Sequence, residues 1–264
     1  MRRKNIKLCA PVTDIFLGIA KEVLPFIGAV EYKNSRYEVR FDKELDVLFE
    51  SPLGIISDAW VEWMKKGRIR SFLRRTKPLS FSVDLGPACR RYRNRKGTGG
   101  ILRSYPQSKV LSPEEIIALA RKRVKQLRRY FTGTVKFEIL NYYPTGAYEH
   151  VCNPAFIKKL LDATGGELLL DVAHARIASE NLGIPFPQYL SQLPLEKVSE
   201  IHISKPTRVN GIWKDSHEKP GKNEFSLLKK LICKTKVRHV VIEYYKDKAV
   251  LKKLFRELYS LLSP

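Results

Sequence analysis

The chain has 264 residues, 44% of them apolar, so a large core is available. Lys and Arg number 49 against 27 Asp and Glu, a formal net charge of +22, which points to an anionic partner such as nucleic acid, an acidic peptide or a phosphorylated substrate. A Lys/Arg-rich surface of the thermophile kind accounts for the same surplus. Cys9, Cys89, Cys152 and Cys233 lie far apart with no Cys-x-x-Cys pair, which excludes a zinc ribbon and argues against a disulfide framework.

The amino terminus, Met1-Arg2-Arg3-Lys4, is basic, but the segment after it is broken by Pro11 and Asp14. Ile15 to Ile27 is apolar yet carries Lys21 and Glu22, so it reads as a packed helix rather than a signal or a membrane span. A cytoplasmic, soluble protein without a membrane partner is expected. Ile6 to Val12 reads as a first strand, and Thr13 or Asp14 as the cap of the helix after it. Ala29 to Tyr32 is a short strand with Glu31 near its end. Tyr37 to Phe41 alternates and reads as an extra hairpin-like piece. Leu45 to Glu50 is a strand ending in an acid, and Asp58 to Arg75 a helix with Trp60, Trp63 and Met64 on one stripe.

Pro78 to Asp84 is the next strand, again tipped by an acid. The segment after it, Leu85 to Ser112, has no periodicity and holds Arg90, Arg91, Arg93, Arg95, Lys96, Arg103 and Lys109 with Gly97, Gly99 and Gly100. It is expected to be a structureless insert, and inserts of this length are more often functional than structural. Ser112-Pro113-Glu114-Glu115 opens a helix to about Phe131. Thr134 to Leu140 is a strand with Glu138 near its end. Asn153-Pro154 starts a helix that Gly165-Gly166 stops. Leu168 to Asp171 is an apolar run of the kind buried on both faces. Phe186 to Leu193 is a short helix, Val198 to Ile203 a strand carrying His202, and Asp215-Ser216-His217 part of a loop. A helix from about Glu224 to Cys233, a strand from Val237 to Tyr244 and a helix from Lys248 to Leu262 complete the chain.

Eight strands with a helix after nearly every one predict a (β/α)8 TIM barrel, with a doubly wound open sheet as the alternative. No Gly-x-Gly-x-x-Gly follows the first strand, which argues against a dinucleotide fold. With no linker and no repeat, residues 1–264 read as one domain with a basic insert at about 86–112.

The strand tips are Glu31, Glu50, Asp84, Glu138, Asp171, His202 and Glu243, and a barrel brings them to one mouth together with the loop residues His174, Asp215 and His217. So many carboxylates cannot sit together ionised, because like charges raise each other's pKa. Cations remove the difficulty, and mixed carboxylate and imidazole donors suit Zn, Fe(II) or Mn. Taken alone, Asp171-x-x-His174 also describes a capping aspartate followed by a surface histidine. Glu31 also fits a rim salt bridge, and Glu50 and Asp84 fit pairs with arginines of the insert. His150 and His239 lack such company and read as surface or core positions, and nothing draws Cys152 into the site.

The order Glu138 … Leu169-Leu170-Asp171-x-x-His174 … Glu200-Ile201-His202-Ile203-Ser204 … Asp215-x-His217 … Ile242-Glu243 resembles the multinuclear non-heme iron-dependent oxidases, whose best-known members modify cysteines of small peptides. Ala178-x-x-Asn181-x-Gly183 and Tyr189-Leu190-x-x-Leu193-Pro194 match as well, so the likeness is best from about Thr134 to Glu243. The order is also similar to that of the endonuclease IV and xylose-isomerase-like barrels. The resemblance implies a xylose-isomerase-like barrel with two or three divalent ions, iron ahead of zinc or manganese, held by Glu138, Asp171, His174, His202, Asp215, His217 and Glu243. Glu50 and Asp84 would be additional ligands, although the oxidase family places histidines there. It also has Asn directly after its match to Glu138, where this chain has Ile139.

Three functions follow. The first is an O2-dependent oxidase of a peptide or thiol, its anionic small-molecule or peptide substrate recruited by Arg90, Arg91, Arg93 and Arg95. The second is an endonuclease IV-like or sugar-phosphate-isomerase-like hydrolase or isomerase, in which a metal-activated water attacks a phosphorylated or nucleic-acid substrate. The third is a non-catalytic binding barrel with a degenerate metal centre.

Overall fold

The computed structural model describes residues 5–33 and 39–263. Eight parallel strands close into a barrel: β1 (Lys7–Pro11), β2 (Ala29–Tyr32), β3 (Asp46–Glu50), β4 (Ser80–Asp84), β5 (Thr134–Glu138), β6 (Glu167–Asp171), β7 (Val198–Ile203) and β8 (His239–Ile242). Each strand pairs with its neighbours in chain order, and β8 returns to β1 through Lys7↔His239, Leu8↔Val240 and Cys9↔Val241. The strands are short apolar runs buried on both faces, as a sheet wrapped by helices requires. Among the described residues no helix is long and apolar enough to cross a membrane.

Side chains alternate across each strand, so the barrel interior is filled in layers. Cys9, Ala29, Leu48 and Val241 form a small apolar cluster there. Two residues further along three of those strands stand Glu31, Glu50 and Glu243, at the carboxyl end. Toward the other end lie His239 and Asp46, 3.0 Å apart, so His239 is a core residue remote from the mouth. The middle layer also contains a fully buried ion pair, Lys136 to Glu200. These two stand two residues before Glu138 and His202 respectively.

The sequence-based elements hold with four corrections. The first helix is broken into Asp14–Leu17, Ala20–Val23 and a 3-10 turn at Leu24–Phe26. Gly18 weakens it, and a side chain there would strike Lys248. The helix expected over Asp58 to Arg75 is two helices, Asp58–Lys65 and Gly67–Thr76, because Lys66 is extended (φ −65°, ψ 126°). The break lets the first bury Trp60 and Met64 and the second Ile69, Phe72 and Leu73. The basic insert is not structureless: Tyr92–Lys96 and Leu102–Pro106 form an antiparallel hairpin. Its turn uses Gly99 and Gly100 at positive φ, and Arg93 and Arg95 on its first strand are exposed, so no apolar alternation announced it. The Asp215 segment is likewise a strand, Ile212–Glu218, paired with Lys205–Val209. Of the piece expected at Tyr37 to Phe41, Tyr37 and Glu38 lie outside the described residues, and 39–41 are not strand.

Removing one partner of a buried ion pair leaves the other charge without compensation, at a cost of about 3–5 kcal/mol. Lys136→Met is therefore expected to destabilise the fold by about that amount in denaturant unfolding, and the double variant Lys136→Met/Glu200→Gln to recover most of it. A single variant as stable as the wild type would show that the pair is not a structural element.

Candidate metal centre

Each donor reaches the mouth by a local device. Glu138 and Asp171 end β5 and β6, next to one another in the sheet. The peptide after Asp171 turns at once into the helix Val172–Asn181, and Asp171 Oδ1 caps it by accepting from the His174 backbone N–H at 2.7 Å. One oxygen is used for the cap, and Oδ2 is buried with no hydrogen-bond partner. The capping reading and the site reading of Asp-x-x-His thus describe two oxygens of the same carboxylate. That first helical turn swings His174 back over β5, where Nδ1 lies 2.9 Å from the Ile139 carbonyl and 3.2 Å from Glu138 Oε1. A carbonyl only accepts, so Nδ1 carries the proton and Nε2 faces Asp215 Oδ2 at 3.3 Å.

Asp215 and His217 lie where the pairing of Ile212–Glu218 with Lys205–Val209 is irregular, and His217 takes a left-handed backbone (φ 45°) that brings its ring beside Asp215. His217 Nε2 is 3.4 Å from Asp215 Oδ2 and 3.4 Å from Glu243 Oε2. His202, fully buried on β7, has Nε2 at 3.0 Å from Glu200 Oε1 and Nδ1 at 3.5 Å from Glu243 Oε1. Glu31 Oε1 is 3.4 Å from His202 Nε2. Lys33 enters from the end of β2 and pairs with Glu50 and Glu243.

Every donor expected from the sequence is therefore in one cluster. Within it, three groups have ligand atoms all within 4.8 Å of one another: Glu138, Asp171 and His174; Asp171, His202 and Glu243; and Glu31, Glu50 and His202. Asp84 joins through its register with Glu138 and a side-chain hydrogen bond to it. Several buried atoms at the centre have no hydrogen-bond partner: both Glu31 oxygens, Asp171 Oδ2, Asp215 Oδ1 and His202 Nδ1. Buried acceptors are seldom left so, and cations would satisfy them. The residues present fit divalent metal.

The electrostatics have the same cause. Burial pushes the Asp171 carboxyl up to about 6 against the pull of His174. Burial and Glu50 raise Asp84 to about 6, and burial raises Glu50 to about 7 against the pull of Lys33. Burial and then Glu50 hold Glu138 well above the carboxylate range. Burial opposes charge on His174 and His202, but the surrounding carboxylates, Asp171 first for the one and Glu31 for the other, raise both well above an ordinary histidine.

The arginines of the insert divide. Arg90 is held by Asp58 at 2.9 Å. Arg91, Arg93 and Arg95 are exposed, with Arg95 5.7 Å over the Tyr105 ring. Cys152 is buried and its thiol donates to the Leu140 carbonyl, and burial raises it. His150 is exposed.

Residues 109–262 match the family described as RiPP precursor modification enzyme MbnB/TglH/ChrH. The chain belongs to that family. A UPF0276 protein of Vibrio parahaemolyticus is 27% identical over 139 residues, covering 51% of this chain and 48% of that protein. One of Rhizobium meliloti is 37% identical over 71 residues, covering 25% and 23%. The chain thus spans about half the length, or less, of the curated relatives it matches. Among solved structures, a putative xylose isomerase from Rhodospirillum rubrum superposes with a TM-score of 0.58 at 13% identity, covering 97% of this chain and 98% of that one. Endonuclease IV from Thermus thermophilus gives 0.57 at 13%, over 97% and 98%. At such identities the likeness is one of fold, and the fold of this MbnB/TglH/ChrH member is the xylose-isomerase-like TIM barrel.

Sequence reasoning missed Lys33 and Glu200. The signal for Glu200 was present, since it alternates with His202 on one strand and so faces the same interior. Lys33 gave none beyond standing two residues after Glu31.

Metal ligands bind deprotonated, so uptake must displace protons from His174, His202 and Asp171. The raised values put protons on His174 and His202 of the metal-free protein near neutrality, and on Asp171 below about pH 6. Affinity is expected to fall as pH drops from about 8 to about 5, with proton release visible as a buffer-dependent heat in calorimetry. A heat independent of buffer would mean that these groups do not engage the ion.

Proposed function

We propose that this chain is a metal-dependent oxidase that uses two or three iron-type ions at the barrel mouth, and O2, to modify a thiol of an anionic peptide. The observation that carries it is the convergence of Glu138, Asp171, His174, Asp215, His202, His217 and Glu243 with the unpartnered oxygens of Asp171 and Asp215 among them. Family membership supports the peptide class. Glu138, Asp171, His174 and Asp215 would hold one ion, and Asp171, His202, His217 and Glu243 another. Asp171 belongs to both groups, as a bridging carboxylate would. Three imidazoles among the carboxylates suit iron better than magnesium or calcium. When bound, redox-active ions would supply electron transfer between a thiolate and O2.

The chain's own residues prepare that site. The Ile139 carbonyl fixes the His174 tautomer and leaves Nε2 free. Glu200 does the same for His202, leaving Nδ1 free, and Lys136 neutralises Glu200. The two hairpins frame the approach: Lys214 donates to the Gly99 carbonyl, and Tyr143 donates to the Trp213 carbonyl. Arg103 lies 5.6 Å over the Tyr143 ring, and its buried Nε and NH2 donors have no hydrogen-bond partner. An anionic group of the substrate would satisfy them.

The +22 charge favours a second reading, hydrolysis of a phosphodiester by a metal-activated water on the same donor set. Elemental analysis of protein purified without added metal separates the readings. The oxidase reading expects two or more ions per chain with iron predominant, and no O2-independent phosphodiester cleavage. Zinc or manganese in place of iron, with cleavage under argon, would favour the hydrolase. Absence of bound metal would leave a non-catalytic barrel. His174→Ala is expected to lower metal affinity by about 10-fold or more while unfolding stays cooperative, and Asp84→Ala to have the smaller effect. Unchanged metal binding in His174→Ala would leave His174 as a structural partner of Glu138 and Asp215 and not a ligand.

A further inference from the structure

The mouth of this barrel already contains a cation. Lys33 Nζ lies 2.5 Å from Glu243 Oε1, 2.6 Å from Glu50 Oε2 and 3.7 Å from Glu31 Oε2. Glu50 stands on β3, beside β2, whereas Glu243 follows β8, which lies beyond β1 on the other side. The lysine therefore reaches over the barrel opening, and its ammonium stands between carboxylates from both sides. Glu31, Glu50 and His202 are also one of the three groups whose donor atoms approach one another closely enough for a metal. The two uses exclude each other. An ion bound at about 2 Å from the Glu50 carboxylate would crowd an ammonium at hydrogen-bond distance from it, and their charges repel most where water is excluded.

We propose that Lys33 is a tethered counter-cation that takes the place of one metal ion. The mouth then holds two ions, and Glu50 serves the lysine rather than a metal. This rests on the metal-centre reading above. The division of Glu243 agrees with it: Oε1 meets Lys33 while Oε2 faces His217 and remains for an ion. The residue type at position 50 agrees as well. A neutral imidazole would give an ammonium no charge to answer, whereas a largely buried carboxylate needs one. Of the other two groups, both around Asp171, the lysine meets only Glu243, through Oε1.

The test is a count of iron per chain after anaerobic loading with Fe(II) and gel filtration, by elemental analysis, for the wild type, Lys33→Ala and Glu50→Gln. Expected are two ions in the wild type, one more in Lys33→Ala, and still two in Glu50→Gln. The metal-free Lys33→Ala protein should also melt lower than the metal-free wild type and recover on adding Fe(II), since only the variant lacks a cation among Glu31, Glu50 and Glu243. Three ions in the wild type, or loss of one in Glu50→Gln, would overturn the proposal while leaving the metal centre standing. No iron in any of the three proteins would overturn the metal centre itself. If Lys33→Ala does not fold, the wild-type and Glu50→Gln counts decide the matter alone.

Discussion

Glu31, Glu138, Asp171 and Glu243 are buried together at one end of a parallel barrel, with Glu50 and Asp84 beside them. Two unit charges about 4 Å apart interact by about 4 kcal/mol at an effective dielectric constant of 20, so such a set cannot be ionised without cations among it. The metal-free chain answers in three ways. Some carboxyls hold their protons more tightly, as Asp171, Asp84 and Glu50 do. His174 and His202 are raised toward the imidazolium form. Lys33 is placed permanently among the acids. The first two answers are reversible and give way to divalent ions. The third is covalently tethered, and for that reason it shapes how many ions the mouth can accept.

The layers beneath make the arrangement rigid. Residues facing the interior alternate along each strand, so whatever lies one layer below a donor sets its position. Glu200 lies below His202 and accepts from its Nε2, and Lys136, one layer below Glu138, neutralises Glu200. A lone buried glutamate at that depth would be costly, and the lysine removes the cost. The same middle layer holds the apolar cluster of Cys9, Ala29, Leu48 and Val241, so the barrel interior is packed rather than open.

The barrel was legible because its strands are apolar runs ended by polar donors, from Glu31 on β2 to Glu243 after β8, with helices between them. The donors Asp171 and His174 were legible as a spacing, although the spacing did not reveal that the carboxylate divides, one oxygen capping a helix and the other facing the site. Asp215 and His217 were legible as alternate residues, but what brings them together is a register irregularity in the hairpin and the left-handed backbone of His217, which their spacing does not reveal. The hairpin at Tyr92 to Pro106 was hidden because strand patterns show only where one face is buried, and its first strand is largely solvent-exposed. Lys33 was hidden because a lysine just past the end of a strand, two residues after a glutamate, is usually a solvated charge. Its reach across the opening to Glu50 and Glu243 is a property of the closed barrel, not of the local sequence.

A parallel barrel of this kind hosts many chemistries, and the likeness to endonuclease IV and to a putative xylose isomerase concerns the backbone alone. The chemistry depends on which atoms hold metal. The most direct measurement is anomalous diffraction at the iron edge from crystals of the iron-loaded protein. The account predicts one peak among Glu138, Asp171, His174 and Asp215, a second among Asp171, His202, His217 and Glu243, and only lysine density between Glu50 and Glu243. Peaks confined to the protein surface, or none at the mouth, would contradict it.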